Sequence, residues 1–204
     1  MNNKTTFYLA RHGQTEWNVA HRIQGQLDSL LTPQGKTQAA LLAEQCRTLN
    51  ITQILTSPLG RAVQTADICS QILQIKPILV KGFEERHFGE WQGKFTYEVQ
   101  PLADYDEITS EITDSKPAQG ESAKQLITRF ETTLRKELKN ASEEVSLIII
   151  HGDILRCFMA QFVPDLIPTP HSSPKENAST GYDYKNAELI ALSYDQSTGT
   201  FSSL

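Results

Sequence analysis

The run VSLIII at 145–150 constrains this 204-residue chain more than any other segment. Its residues are apolar without alternation and end in three isoleucines, so a strand built from them must be covered on both faces. Such a strand belongs inside a parallel sheet with helices on either side, and the rest of the chain supplies the parts. TTFYLA (5–10), TQILT (52–56), PILV (77–80) and AELIALSY (187–194) read as further strands. Thr32–Pro33 is an N-cap followed by proline and opens a helix to about Leu49, with Ala39, Leu42, Cys46 and Leu49 on one face. Ser57–Pro58 repeats the signal for a helix through Ile68 and Ile72. Leu126, Phe130, Leu134 and Leu138 recur at steps of four in a helix from about Glu121, and another runs from about Ile154 to Phe162. This alternation predicts an α/β fold, a three-layer α/β/α arrangement with a mostly parallel central sheet. Without repeats or linkers, the chain reads as one domain over 1–204. Residues 94–119, polar and acidic, read as a lid-like insertion, and the Pro- and Ser-rich stretch 164–185 as loop.

Three strands share an ending. Arg11-His12-Gly13 follows TTFYLA, Ser57-Pro58-Leu59-Gly60-Arg61 follows TQILT, and His151-Gly152-Asp153 follows VSLIII. Ligands of open α/β sheets bind outside the carboxyl ends of the strands. If these three lie side by side and parallel, Arg11, His12, Arg61 and His151 converge in a positive pocket suited to phosphate. The helix opening at Pro58 is expected to aim its N-terminal dipole at the same place, with the planar fork of Arg61 in its first turn. That positive charge is local. The chain carries 19 Lys and Arg against 24 Asp and Glu, a net charge of -5, and so lacks the field that draws proteins to nucleic acid.

Cys46, Cys69 and Cys157 are odd in number and widely spaced, against a disulfide framework or a zinc site. Each falls in an apolar helical pattern, as buried free thiols do. The first ten residues lack the apolar run of a signal peptide. No stretch approaches the roughly 20 apolar residues of a membrane span. The expectation is a cytoplasmic protein with no cofactor, no metal, no nucleic-acid partner and no membrane partner. No pattern specifies an oligomeric state, which leaves a homodimer open.

RHGQTEWN at 11–18 resembles the signature of the histidine phosphatase superfamily, the phosphoglycerate mutase-like enzymes. RIQGQLDSLLTPQG (22–35), SPLGRAVQTA (57–66), EERHFGEWQG (84–93), QGES (119–122) and HGDILR (151–156) match in the same order. An RHG alone is a weak signal; ordered companions over nearly the whole chain make it strong. The resemblance weakens over 94–118 and 164–185. It implies that His12 is the nucleophile, forming a phosphohistidine, and that Arg11, Arg61 and His151 hold the transferring group. Asn18, Gln24 and Gly152 are implied as substrate contacts. Glu85 is implied as the acid that protonates the leaving oxygen and then activates water, with Glu84 next door as its rival. Transferring phosphoryl groups need chiefly positioning and charge neutralisation, and a covalent intermediate splits the displacement into two steps.

Other residues read as structural: Arg156 in an interior salt bridge, Glu16 and Trp17 as loop support, Gly13, Gly60 and Gly152 at turns or close approaches. His21, His87 and His171 have no companions that favour function. Within the resembled family, mutases and phosphatases divide by the insertion after ERHxG. Here 94–119 has Glu98, Asp104, Asp106, Glu107, Glu111 and Asp114 but no arginine. The resulting expectation is a phosphatase that hydrolyses a small phosphate ester, with a slight bias against highly anionic substrates. Mutase-type transfer is the alternative. A non-catalytic module binding phosphorylated ligands is the competing class, and a complete set of Arg11, His12, Arg61, Glu85 and His151 argues against it.

Overall fold

The computed structural model describes residues 4–140, 145–166 and 184–204. In chain order the elements are β1 (Lys4–Arg11), α1 (Glu16–Val19), α2 (Pro33–Cys46), β2 (Gln53–Thr56), α3 (Gly60–Leu73) and β3 (Pro77–Leu79). Then follow α4 (Thr96–Val99), α5 (Tyr105–Ser110), α6 (Ala123–Asn140), β4 (Ser146–Ile150), α7 (Gly152–Phe162), β5 (Leu189–Asp195) and β6 (Thr200–Ser203). The strands form one six-stranded sheet in the order β3-β2-β4-β1-β5-β6. β4 pairs in parallel with β1 (Leu9 opposite Ile148) and with β2 (Leu55 opposite Ile148), while β5 pairs antiparallel with both β1 and β6. The mostly parallel α/β sheet expected from the sequence is present, with β4 at its centre.

Side-chain alternation separates two apolar layers. Phe7, Leu9, Ile148 and Ile150 face α6 and α7, meeting Leu126, Phe130, Leu134, Leu138 and Phe158. Tyr8, Ala10, Leu147 and Ile149 face α2 and α3, meeting Leu42, Ala43, Cys46, Ala62, Ala66 and Cys69. Every residue of β4 is buried, as its unbroken apolar run requires. All three cysteines are buried free thiols.

The helix starts obey local chemistry, with one departure. Thr32 caps α2 by accepting the Gly35 N–H on Oγ1 (2.9 Å), and Ser122 and Gln125 cap α6 reciprocally (3.1 and 3.0 Å). α3 begins at Gly60, not at Pro58, and Ser57 is not its cap. The carboxylate of Asp28 performs that task from another loop, accepting the N–H groups of Gly60 (2.7 Å) and Arg61 (3.2 Å). β6 went unpredicted because TFSS is a short edge strand with one buried residue. α1, α4 and α5, each six residues or fewer, are too short to show a helical period. His171, and most of the loop expected over 164–185, lie outside the described residues. Among the described residues no helix is long and apolar enough to cross a membrane.

The turn after β1 rests directly on the first turn of α2. A Cβ on Gly13 would collide with the carbonyl oxygen of Gly35, and a Cβ on Gly35 with that of Gln14. Gly35→Ala should therefore destabilise the protein. The gain in helix propensity, about 1 kcal/mol, is outweighed by overpacking against backbone, about 1–3 kcal/mol. Urea denaturation measures the net; a variant as stable as wild type would show that the two backbones separate freely.

Candidate active site

The carboxyl ends of β1, β4 and β2 lie side by side, and a cavity of ≈ 340 Å³ opens above them. Arg11, His12, Asn18, Gln24, Arg61, Glu85 and Gly152 all line it. His151 lies behind this wall, fully buried, its ring centroid 5.3 Å from that of His12.

His12 follows β1 directly, and its backbone N–H continues the sheet by donating to Ile150 O (3.0 Å). Its Nδ1–H donates to the carbonyl oxygen of Gly13 at 2.8 Å, which leaves the Nε2 lone pair toward Arg61. Arg61 Nε–H donates to that lone pair at 3.2 Å. Burial holds the imidazole well below its ordinary value of 6.5, and the charges of Arg61 and Arg11 push the same way, outweighing the Gly13 hydrogen bond. His12 is therefore a neutral ring with a fixed tautomer. His151 is held low too, by burial first and then by Arg61. Its Nε2 is 2.7 Å from Ser57 Oγ, and its buried Nδ1 has no hydrogen-bond partner among the described residues.

Arg61 is 1% exposed and is used first as scaffold. Its Nη1 donates to Leu27 O (2.8 Å) and Asp28 Oδ1 (2.9 Å), and its Nη2 to Gly25 O (2.7 Å). With Nε on His12, four of its five N–H donors are engaged inside the protein. The expected fork open toward a ligand is thus a fork closed on loop 25–28. The expected dipole of α3 is likewise absorbed by Asp28. The helix N-terminus that does face the site is that of α7, where His151 holds the N-cap position without a side-chain cap bond.

The donors of α7 go to Glu85. Its Oε2 accepts the Asp153 N–H (3.0 Å), and its Oε1 accepts those of Ile154 (3.3 Å) and Arg86 (2.9 Å). Burial and the neighbouring Asp153 carboxylate raise its proton affinity, and these outweigh the Arg86 and Asp153 N–H groups and Arg61, which lower it. Glu84 is occupied elsewhere, accepting the Gly82 N–H at 2.7 Å and facing Arg129 at 3.7 Å.

Around this centre, Arg11 Nη1 donates to Tyr184 O (2.6 Å), and its guanidinium lies over Gly152, where a Cβ would come within 3.2 Å of Cζ. Asn18 Oδ1 closes a capping box with Thr15 (3.0 Å), which leaves its Nδ2 for a ligand. Gln24 is buried, with Oε1 accepting from Ser29 Oγ (3.3 Å). Arg156 forms the expected ion pair, with Asp153 at 2.6 Å, and also reaches the cavity wall. Sequence reasoning missed Thr65, which accepts the Gly13 N–H (3.0 Å), and Asn186, which donates to His12 O (2.9 Å). It missed Asp28, and it read Ser57 as a cap. Thr65, Asp28 and Ser57 lie within the quoted runs, but their roles are three-dimensional, as is that of Asn186. His21, expected to be surface or structural, is exposed but also lines the cavity.

The acidity of 94–119 does not reach the site. Glu98 accepts the Phe95 N–H (2.6 Å), Glu107 bonds Ser115 Oγ (2.6 Å) and Asp114 pairs with Lys124 (2.7 Å). All six carboxylates of the segment are exposed, and none lines the cavity. What the segment presents there is Thr96, Tyr105 and Thr109. The expected bias against anionic substrates loses its basis. Trp91, Val99, Tyr105 and Ile108 form a small apolar core beneath this wall.

Residues 7–202 match the family model described as histidine phosphatase superfamily (branch 1). A probable phosphoglycerate mutase, GpmB, from Proteus mirabilis (strain HI4320) is 37% identical over 155 residues, covering 75% of this chain and 72% of that protein. The solved structure of YhfR from Bacillus stearothermophilus has a TM-score of 0.80 at 29% identity, covering 98% of this chain and 95% of its own. A mycobacterial glucosyl-3-phosphoglycerate phosphatase in complex with VO3 has a TM-score of 0.76 at 26% identity, covering 92% of each chain. With a matched span running nearly end to end and RHG at the carboxyl end of a central strand, the chain belongs to the histidine phosphatase superfamily.

Proposed function

We propose that the protein is a phosphomonoesterase that hydrolyses a small phosphate ester through a phosphohistidine on His12. The observation that carries this reading is the neutral His12 imidazole, with Nδ1–H fixed on Gly13 and Nε2 directed at Arg61. In the first step Nε2 attacks phosphorus, the bond to the leaving oxygen breaks, and Glu85 gives that oxygen its proton. Oε2 is the atom with room for this proton, because it accepts one backbone N–H where Oε1 accepts two. In the second step Glu85, now a carboxylate, takes a proton from water as the water attacks phosphorus, releasing phosphate and restoring His12. Arg11 and Arg61 neutralise the equatorial oxygens and the Asn18 and Gln24 amides donate to them, with the Gly152 backbone beside them. If Ser57 Oγ–H donates to Nε2 of His151, the proton of that neutral ring lies on Nδ1, the atom left for a phosphoryl oxygen.

Mutase-type transfer is the second reading, favoured by the name of the Proteus mirabilis relative. A mutase must retain a bisphosphorylated intermediate, and 94–119 brings hydroxyls but no arginine to the cavity. The mycobacterial phosphatase of the same fold supports hydrolysis. A pure binding module has no use for a carboxylic acid of raised proton affinity beside a neutral histidine.

Purified enzyme should release phosphate from p-nitrophenyl phosphate, and His12→Ala should lower kcat by about three orders of magnitude or more. Equal rates would remove the phosphohistidine, and phosphoglycerate interconversion much faster than hydrolysis of any ester would establish a mutase. Glu85→Gln should cost about 10²–10⁴-fold with an alkyl phosphate and much less with p-nitrophenyl phosphate, whose leaving group needs no proton. Similar losses on both substrates would remove Glu85 as the acid.

The rate should be bell-shaped in pH. His12 gains its disabling proton only well below 6.5, and Glu85 loses its useful one only above the ordinary 4.5. Asp153→Asn removes the negative neighbour that raises Glu85, so the alkaline limb should move to lower pH. A limb that stays in place or moves upward contradicts this assignment.

A further inference from the structure

The cavity extends beyond the phosphoryl end to a wall in which one cation has a different setting from the rest. Loop 21–25 is stitched to 93–96 by Ile23 N–H to Lys94 O (2.9 Å), Gly93 N–H to Ile23 O (2.8 Å) and Thr96 N–H to His21 O (2.8 Å). Arg22 sits on this frame and lines the cavity. Its guanidinium carbon lies 4.3 Å from the Phe95 ring centroid and 5.2 Å from that of Trp17.

Two neighbouring arginines of the wall already have carboxylates: Arg61 holds Asp28 at 2.9 Å and Arg156 holds Asp153 at 2.6 Å. The lining carboxylates are Glu85, enclosed by backbone N–H groups, and Asp153, shared between Arg156 and Arg86. Arg22 forms no ion pair among the described residues. Aromatic rings satisfy the faces of a guanidinium and fix its plane, but they leave its edge donors unused. Such an edge fits the paired oxygens of a carboxylate or a phosphate. The acidic side chains of 94–119 are exposed and do not line the cavity, so among the described residues none of them competes for it.

We propose that Arg22 is the subsite for a second anionic group, carried on the leaving portion of the substrate. The enzyme then acts on small doubly anionic phosphate esters, a carboxylate or a second phosphate lying against Arg22 while the transferring phosphoryl group lies against His12. Thr96, Tyr105 and Thr109 supply hydroxyls to the intervening wall. The reaction class is that of the proposed phosphomonoesterase, on which this inference rests.

Two measurements separate the subsite from that reading. In the first, kcat/KM is compared for 3-phosphoglycerate, fructose 1,6-bisphosphate and glycerol 2-phosphate, using wild type, Arg22→Gln and Arg22→Lys. The ratio of an anionic substrate to glycerol 2-phosphate should fall at least tenfold in Arg22→Gln, mainly through KM, and recover partly in Arg22→Lys. The two anionic substrates show whether carboxylate or phosphate is preferred. Equal losses on all three, or a wild type that prefers glycerol 2-phosphate, overturn the subsite. In the second, calorimetry compares binding of 3-phosphonopropionate, ethane-1,2-bisphosphonate and ethylphosphonate, none of which can be hydrolysed. A tenfold Arg22-dependent preference for a doubly anionic ligand, found in a chain that turns over no ester, keeps the subsite and removes the phosphatase. No such preference removes the subsite whatever the turnover.

Discussion

The site depends on burying an imidazole where cations surround it. Water is what normally lets histidine carry a proton, and at the end of β1 His12 is 2% exposed. Desolvation and two arginines then act in the same direction, so the ring stays an electron-pair donor. The same exclusion of water acts oppositely on Glu85, whose neutral form is the protonated one. One physical cause thus separates a base from an acid within a single cavity. Under the proposed reaction, the positive charge that keeps His12 neutral is also the charge that would receive the phosphate, so one set of residues would serve both tasks.

Much of this was legible in the chain. β4 announced itself by apolar residues without alternation, and Phe130 and its partners at steps of four gave α6 its buried stripe. The placement of Arg11, His12, Arg61 and His151 followed from strand ends, once β1, β4 and β2 proved adjacent. What escaped was the machinery that aims them. Asp28 caps a helix more than 30 residues downstream in sequence, and Ser57, which looks like a helix cap, orients His151 instead. Caps supplied by another loop leave no local pattern, because the donor and acceptor are neighbours only after folding. The acidity of 94–119 misled for a related reason: composition records which charges a segment has, not which way they face.

The two ends of the cavity differ in kind. At the end near His12, the side chains of His12, Arg61 and Glu85 are each fixed by hydrogen bonds inside the protein. At the other end the wall is made of hydroxyls, aromatic rings and Arg22, which has no ion pair among the described residues. Similar proteins carry names of different activities, a mutase in one case and a phosphatase in another.

The position of β4 has a consequence for how the chain acquires its site. β1 and β2 flank a gap that only residues 146–150 fill, although those residues follow β2 by some ninety positions. A growing chain that has emitted β1, α2, β2 and α3 holds His12 and Arg61 but has no central strand to register them. Pairing across such separations is slow to form, because the intervening chain must be closed into a loop before the contacts reward it. The cluster of Arg11, His12, Arg61 and His151 therefore cannot assemble until residues 146–150 are available. A fragment ending before residue 146 should be inert, and a released chain truncated there presents two open strand edges to its neighbours.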